Sequence, residues 1–122
     1  MSDCADLVGL RYRLGADGSD GEIDCIHLVY TVLERLQIAT PTFQDDWYTA
    51  GKKSVVRELL RWGNRVARPE YDGDVLLITP GSWAFAVVWL NGVLYINTEL
   101  EKVSWCSLQQ LSACHCFRTR KN

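Results

Sequence analysis

The chain has 122 residues, of which 48% are hydrophobic and 23% charged, and its formal net charge is −2. This length suits one domain with a real core, so residues 1–122 are expected to form a single domain. The balanced charge offers no basic surface for nucleic acid or an anionic membrane, and no segment has the length and apolarity of a transmembrane helix.

The first residues, Met-Ser-Asp-Cys-Ala-Asp, lack the basic and apolar regions of a signal peptide. We therefore expect a protein that is cytoplasmic as synthesised, or one that is delivered outside by a phage-type or other signal-independent route. The cysteines are odd in number and lack the spacing of a disulfide framework, which predicts reduced thiols at Cys4, Cys25, Cys106, Cys114 and Cys116.

Helices are predicted in the first half of the chain. Apolar residues there recur at spacings of three and four, and capping residues, prolines or glycines mark the ends of each run. With their caps, the predicted helical segments span residues 2–10, 24–39, 45–51 and 54–62.

The second half of the chain has the pattern of β-strands. Short apolar and β-branched runs alternate with turns, and Asn91-Gly92 is the strongest hairpin signal. The predicted strands span residues 75–79, 83–90, 93–98, 103–106 and 113–118, with a helical turn at 108–111. Helices followed by an antiparallel sheet belong to the α+β class.

Asp24 and Cys25 begin the central helix, directly after a loop that contains three glycines. Asp24 is a good N-cap, which places Cys25 in the first helical turn. Unpaired backbone N–H groups and the positive end of the helix dipole stabilise a thiolate there, so the sequence predicts a lowered pKa for the Cys25 thiol. The alternative interpretation is that Cys25 is a small, buried apolar residue.

Four motifs follow one another along the chain: Tyr12-Arg13-Leu14-Gly15, Asp24-Cys25-x-x-Leu28-Val29, Gly73-Asp74-Val75-Leu76, and the hairpin around Asn91-Gly92 that ends at Asn97. Together they resemble the NlpC family of papain-like cysteine peptidases, which cut peptide or amide bonds in bacterial cell-wall peptidoglycan. The resemblance implies a papain-like fold, in which the helix that carries the cysteine packs on an antiparallel sheet. It implies no cofactor and no metal.

The resemblance also assigns roles to single residues. Cys25 is the nucleophile, and backbone N–H groups at the start of its helix form the oxyanion hole. Asn97 is the polar residue that orients the catalytic base. Tyr12 points its hydroxyl towards the nucleophile.

Three further residues are assigned to substrate binding. Asp24 lies beside the nucleophile, although a helix cap is its simpler role. Trp47 and Trp83 are bulky enough to line a groove for a sugar–peptide substrate, whereas the other tryptophans are assigned to the core.

The catalytic histidine of the family has no counterpart at its usual place, which Ala84 or Phe85 occupies. A thiolate that attacks an amide needs a partner that holds it ionised and then protonates the leaving amine. His27 lies about 200° around the helix from Cys25 and does not face it. His115 can serve as the base only if the last strand neighbours the start of the cysteine helix.

Three functions stay open at this point. The first is a cysteine peptidase or amidase that acts on a cell-wall peptide or another small amide. The second is an NlpC-fold module without the histidine, which binds such a peptide or has a structural role, for example in a phage tail. The third is a thiol-redox or metal-binding protein, although strand alternation would place Cys114 and Cys116 on one face and His115 on the other.

Overall fold

The computed structural model describes residues 4–40, 52–78, 84–97, 99–110 and 114–119, without the side chains of 52–55, 78, 84 and 114. These ranges contain two α-helices, α1 (Cys25–Arg35) and α2 (Lys52–Trp62), and short 3-10 turns at Ala5–Leu7 and Leu108–Gln110. The strands are β1 (Arg11–Tyr12), β2 (Glu22–Ile23), β3 (Gly63–Val66), β4 (Val75–Ile78), β5 (Ala84–Trp89), β6 (Gly92–Asn97), β7 (Lys102–Ser107) and β8 (Cys114–Thr119). In the described part of the chain, neither helix is long and apolar enough to cross a bilayer.

All eight strands belong to one sheet, in the order β2-β1-β7-β6-β5-β4-β8-β3. The pairings are antiparallel except that of β1 with β2, which is parallel. The strands β4 to β8 coincide, to within one or two residues, with the five predicted ones. The α+β class and the antiparallel sheet are therefore confirmed.

The sheet separates two apolar clusters, because successive side chains of a strand point to opposite faces. The larger cluster joins the helices to the sheet, with α1 packed on β5 and β6 and α2 packed on β3 and β8. The smaller cluster lies on the other face and is formed by Leu76, Ala86, Val88, Val93 and Cys116. Val66 of β3 and Cys106 of β7 both pack against it although their strands are far apart in the sheet, so the sheet curls around this cluster.

The start of α1 is where the sequence predicts it, and its end is earlier. The helix stops at Arg35 because Gln37 adopts the left-handed conformation, with φ 61°. The N–H of Gln37 then donates to the Glu34 oxygen and that of Ile38 to the Leu33 oxygen. These two bonds form a Schellman motif, which satisfies carbonyl groups at the helix end without the glycine that usually marks it in a sequence.

Two parts of the sequence prediction are wrong. The first predicted helix is only the 3-10 turn Ala5–Leu7, and the strands β2 and β3 were not predicted. The predicted end of α2 before Gly63 is confirmed. Gly63 also begins β3 directly, where a Cβ atom would overlap the Arg118 carbonyl group of β8. The predicted helical turn at 45–51 lies outside the described residues.

A buried ion pair ties the start of β4 to the end of β8. Asp74 is 1% exposed, and its two carboxylate oxygens accept from the Arg118 guanidinium at 2.8 Å each. One of them also accepts from the backbone N–H groups of Glu70 and Tyr71. The guanidinium carbon of Arg118 lies over the Tyr71 ring, 4.5 Å from the centroid of that ring. The loop before β4 is therefore organised around the Asp74 carboxylate.

Replacing Arg118 with glutamine should lower the free energy of unfolding by about 3 kcal/mol, because it leaves the Asp74 charge buried without its partner. Urea denaturation measures this loss. The matched control is Arg13→Gln, which breaks the Arg13–Glu22 pair on the surface and should cost less than about 1 kcal/mol. Equal, small losses in both variants would contradict the structural role given to the buried pair.

Candidate functional site

The carboxylate of Asp24 organises the region around Cys25. It is 0% exposed. One oxygen accepts from the backbone N–H of His27 at 2.8 Å, which is the N-cap bond of α1, and lies 2.8 Å from Nδ1 of the same residue. The other oxygen accepts from the backbone N–H of Gly15 at 2.9 Å, and the Asp24 N–H donates to the Ala16 oxygen. Asp24 thus fixes the glycine-rich loop against the helix start.

This burial corrects the assignment of Asp24 to substrate binding. Both of its oxygens are used by the loop and the helix, and the side chain has no surface that a substrate could reach. Asp24 is a structural residue that positions its neighbour, Cys25.

Cys25 is the first residue of α1, as the sequence predicts, and its half-buried side chain packs against the larger apolar cluster. The backbone N–H of Phe85, in β5, hydrogen-bonds to the Cys25 thiol. The thiol therefore lies between the start of the helix and the start of β5.

The predicted lowering of the Cys25 pKa is wrong. Burial raises the pKa of this thiol, and the negative charge of Asp24 raises it further. The backbone N–H groups of Phe85, Cys25 and Ile26 act in the opposite direction but do not compensate for the burial. The helix N-terminus does favour the thiolate, but desolvation raises the pKa by more than these donors lower it.

Tyr12 lies next to this group. Parallel pairing of β1 with β2 places Tyr12 beside Ile23, the residue before Asp24. Burial raises the pKa of the Tyr12 hydroxyl, and the nearby Cys25 and Asp24 raise it as well. Since the side chain is still 38% exposed, Tyr12 lies at the rim of the region, close to the two residues with which the sequence grouped it.

Two apolar side chains of the sheet, those of Phe85 and Ile96, share the cluster against which Cys25 packs. Phe85 belongs to the same cluster as α1 and is 6% exposed. In the register of β5 and β6, Val87 is paired with Leu94. Two residues further along, the same register places Phe85 opposite Ile96. Ile96 also packs against that cluster. Phe85 and Ile96 are therefore neighbours on the face of the sheet that packs against α1.

Asn97 does not join Cys25. It follows Ile96 in β6 and so points to the other face of the sheet. Its side-chain oxygen accepts from the backbone N–H groups of Glu99 and Leu100, both at 3.0 Å. The structure thus gives Asn97 the role of capping a turn. The sequence could not show that Ile96, rather than Asn97, lies on the face of Cys25, because it does not fix the register of the two strands.

The two histidines have different surroundings. His27 is a half-buried helix residue, and its Nδ1 lies 2.8 Å from the Asp24 carboxylate. His115, in β8, is opposite Leu77 of β4, which is in turn opposite Phe85 of β5. His115 therefore lies in the same cross-strand row and on the same face as Phe85, two strands away, or about 10 Å between backbones. At its exposed site, Nδ1 lies 2.6 Å from Nη2 of Arg65.

The remaining candidates from the sequence are two tryptophans and the other cysteines. Trp47 and Trp83 lie outside the described residues. The described cysteines, Cys4, Cys25, Cys106 and Cys116, are free thiols. Cys116 is buried in the smaller cluster, on the face opposite to His115, as alternation predicted. Within the described ranges, no group of three His, Cys, Asp or Glu residues could hold a metal ion.

Cys25 should react slowly with iodoacetamide at pH 7, because its raised pKa leaves little thiolate, and the rate should still increase with pH above the usual pKa of a thiol. Mass spectrometry of the labelled peptide measures this rate against pH. Asp24→Asn keeps a good N-cap but removes the charge, and should speed the labelling at any pH below the pKa. A rate at pH 7 above that of an unfolded reference peptide would show that the pKa is lowered instead.

Comparison with protein-family models and with curated proteins finds no match for this chain. The region around Cys25 offers backbone N–H donors beside a thiol, and a tyrosine hydroxyl at its rim. Among the described residues, the cluster against which that thiol packs includes Phe85 of β5, and Ile96 of β6 packs against the same cluster.

Proposed function

We propose that this chain is a papain-like module of the NlpC type that binds cell-wall peptides without hydrolysing them. The observation that carries the proposal is the position of Phe85. Its backbone contacts the Cys25 thiol and its side chain is apolar. The resemblance assigns the histidine of the NlpC peptidases to this position or to that of Ala84. The helix that carries the cysteine packs on the antiparallel sheet next to β5, an arrangement that agrees with the resemblance.

Proton transfer decides between binding and hydrolysis. An amide nitrogen leaves only after it is protonated, and general acid–base catalysis typically contributes about 10²–10⁴-fold to the rate. In addition, burial and Asp24 keep Cys25 in its neutral thiol form at pH 7. A neutral thiol with no adjacent imidazole is a poor nucleophile towards an amide.

Binding requires less than hydrolysis. The bond between Asp24 and Gly15 holds the glycine-rich loop beside the start of α1 without any ligand. A preformed loop lowers the ordering cost of binding. Tyr12 adds a partly exposed hydroxyl and ring at the rim, and both groups suit a peptide that carries amides and small side chains.

A second candidate is an active cysteine peptidase or amidase with His115 as its base. The shared row and face of His115 and Phe85 favour it. The Leu77 strand separates them, so the imidazole would have to reach the thiol across the surface of β4. Its contact with Arg65 draws it instead towards β3.

The two candidates differ in a direct assay. We expect the wild-type protein to release no product from purified muropeptides, and Cys25→Ala to bind them with unchanged affinity in calorimetry. The enzyme candidate instead requires hydrolysis that is lost in both Cys25→Ala and His115→Gln. Absence of both hydrolysis and binding in the folded wild-type protein would contradict the proposed function.

The position of Phe85 can be tested by rebuilding a dyad. In the double variant Phe85→His, Ile96→Asn, an imidazole next to Cys25 should stabilise the thiolate and lower its pKa. Labelling by iodoacetamide at pH 7 should then become about tenfold faster or more. The control Phe85→Leu, Ile96→Val keeps the site apolar and should label like the wild type. An unchanged rate in a double variant with normal thermal unfolding would show that Phe85 does not face the thiol.

A further inference from the structure

A half-open cleft lies at the other end of β5 from Cys25. Its volume is about 520 Å³, which is within the usual range for small-ligand sites. Three separate parts of the chain form its walls: the loop after β3, the β5–β6 turn, and the end of β7 with the 3-10 turn that follows. The lining residues are Arg68, Pro69, Asn91, Ser107, Leu108 and Gln109.

The polar side chains that line the cleft are unpaired within the described part of the chain. Among the described residues, none accepts a hydrogen bond or an ion pair from the Arg68 guanidinium, and none bonds to the side-chain amides of Asn91 and Gln109. Elsewhere the guanidinium groups of Arg13, Arg35 and Arg118 are all paired with carboxylates. The cleft therefore gathers one cation and two amides whose hydrogen bonds are available to a ligand.

The walls of the cleft are firmly supported. Leu108 packs against the smaller apolar cluster, and Ser107 is paired with Gly92 across the sheet. The β5–β6 turn is fixed by the bond from the Leu90 N–H to Asp72 and by the Trp105 indole, which donates to the Trp89 oxygen. A preformed site binds with a smaller entropic cost than one that must be ordered.

We propose that this cleft binds the carboxyl-terminal end of a peptide. The guanidinium of Arg68 would take the carboxylate, for which its geometry is suited. The amides of Asn91 and Gln109 both donate and accept, so they match the last peptide bonds of a chain. Pro69 and Leu108 provide an apolar wall for a small side chain.

This cleft is distinct from the Cys25 region. Asn91 is the sixth residue after Phe85 along β5 and its turn, which corresponds to about 20 Å of extended chain. The inference rests on the cleft residues alone and on no part of the proposed function. Loss of peptide binding here would leave the iodoacetamide labelling of Cys25 unaffected.

The test is a titration of the isotope-labelled full chain, followed by the NMR signals of the Asn91 and Gln109 side-chain amides. The probes are N-acetyl-alanyl-alanine, the same dipeptide with an amidated end, and inorganic phosphate. We expect saturable shifts with the free carboxylate, at a roughly millimolar dissociation constant for so small a probe. Arg68→Gln should weaken this binding about tenfold or more, and Arg57→Gln, at an exposed arginine of α2 outside the cleft, should not change it.

Three results would overturn the inference. Equal binding of the amidated dipeptide would show that Arg68 does not receive a carboxylate. Phosphate binding as tight as that of the dipeptide would make the cleft a general anion site. Absence of saturable shifts, or equal losses in Arg68→Gln and Arg57→Gln, would mean that no peptide end is held there. Because Arg68 is exposed and has no described partner, its replacement leaves the fold intact, which unchanged signals from the core would verify.

Discussion

The carboxylate of Asp24 is the interaction on which the rest of the candidate site depends. It joins the loop of residues 15–21 to the start of α1 and to the imidazole of His27, while its own backbone N–H bonds to Ala16. A buried carboxylate is tolerated only where such donors replace water. Burial is the main reason that the pKa of the neighbouring Cys25 thiol is raised, and the Asp24 charge raises it further.

The region around Cys25 has a thiol at a helix start but, in the described part of the chain, no base beside that thiol. A helix start next to a thiol provides donors for a negative charge, and these remain in place here. What turns such a thiol into a nucleophile is a base that holds it ionised, together with access for water and substrate. Around Cys25 the sheet contributes the apolar side chains of Phe85 and Ile96, which belong to or pack against the larger cluster and provide no such base.

The parts of this structure that depend on neighbours in sequence could be predicted, and those that depend on distant residues could not. The cap at Asp24 and the strands β4 to β8 follow from local capping and alternation. Gly63 was correctly predicted as a helix stop, but its second role as a strand residue was missed because it comes from contact with β8. The pKa of Cys25 was predicted with the wrong sign because burial by the sheet outweighs the helix terminus. Asn97 was selected instead of Ile96 for lack of the β5–β6 register, and no sequence signal joins Arg68 to the other residues of its cleft.

The direct passage from α2 into β3 has an evolutionary consequence. Trp62 ends the helix and Gly63 begins the strand, with no connecting residue between them, and Gly63 is already paired with Thr119. An inserted residue would have no loop to absorb it. It would either slide β3 along β8, which turns every side chain of the strand to the opposite face, or rotate α2 by about 100° on the sheet. Homologues should therefore differ in length at their surface turns, and an alignment of them should be free of gaps between positions 62 and 63.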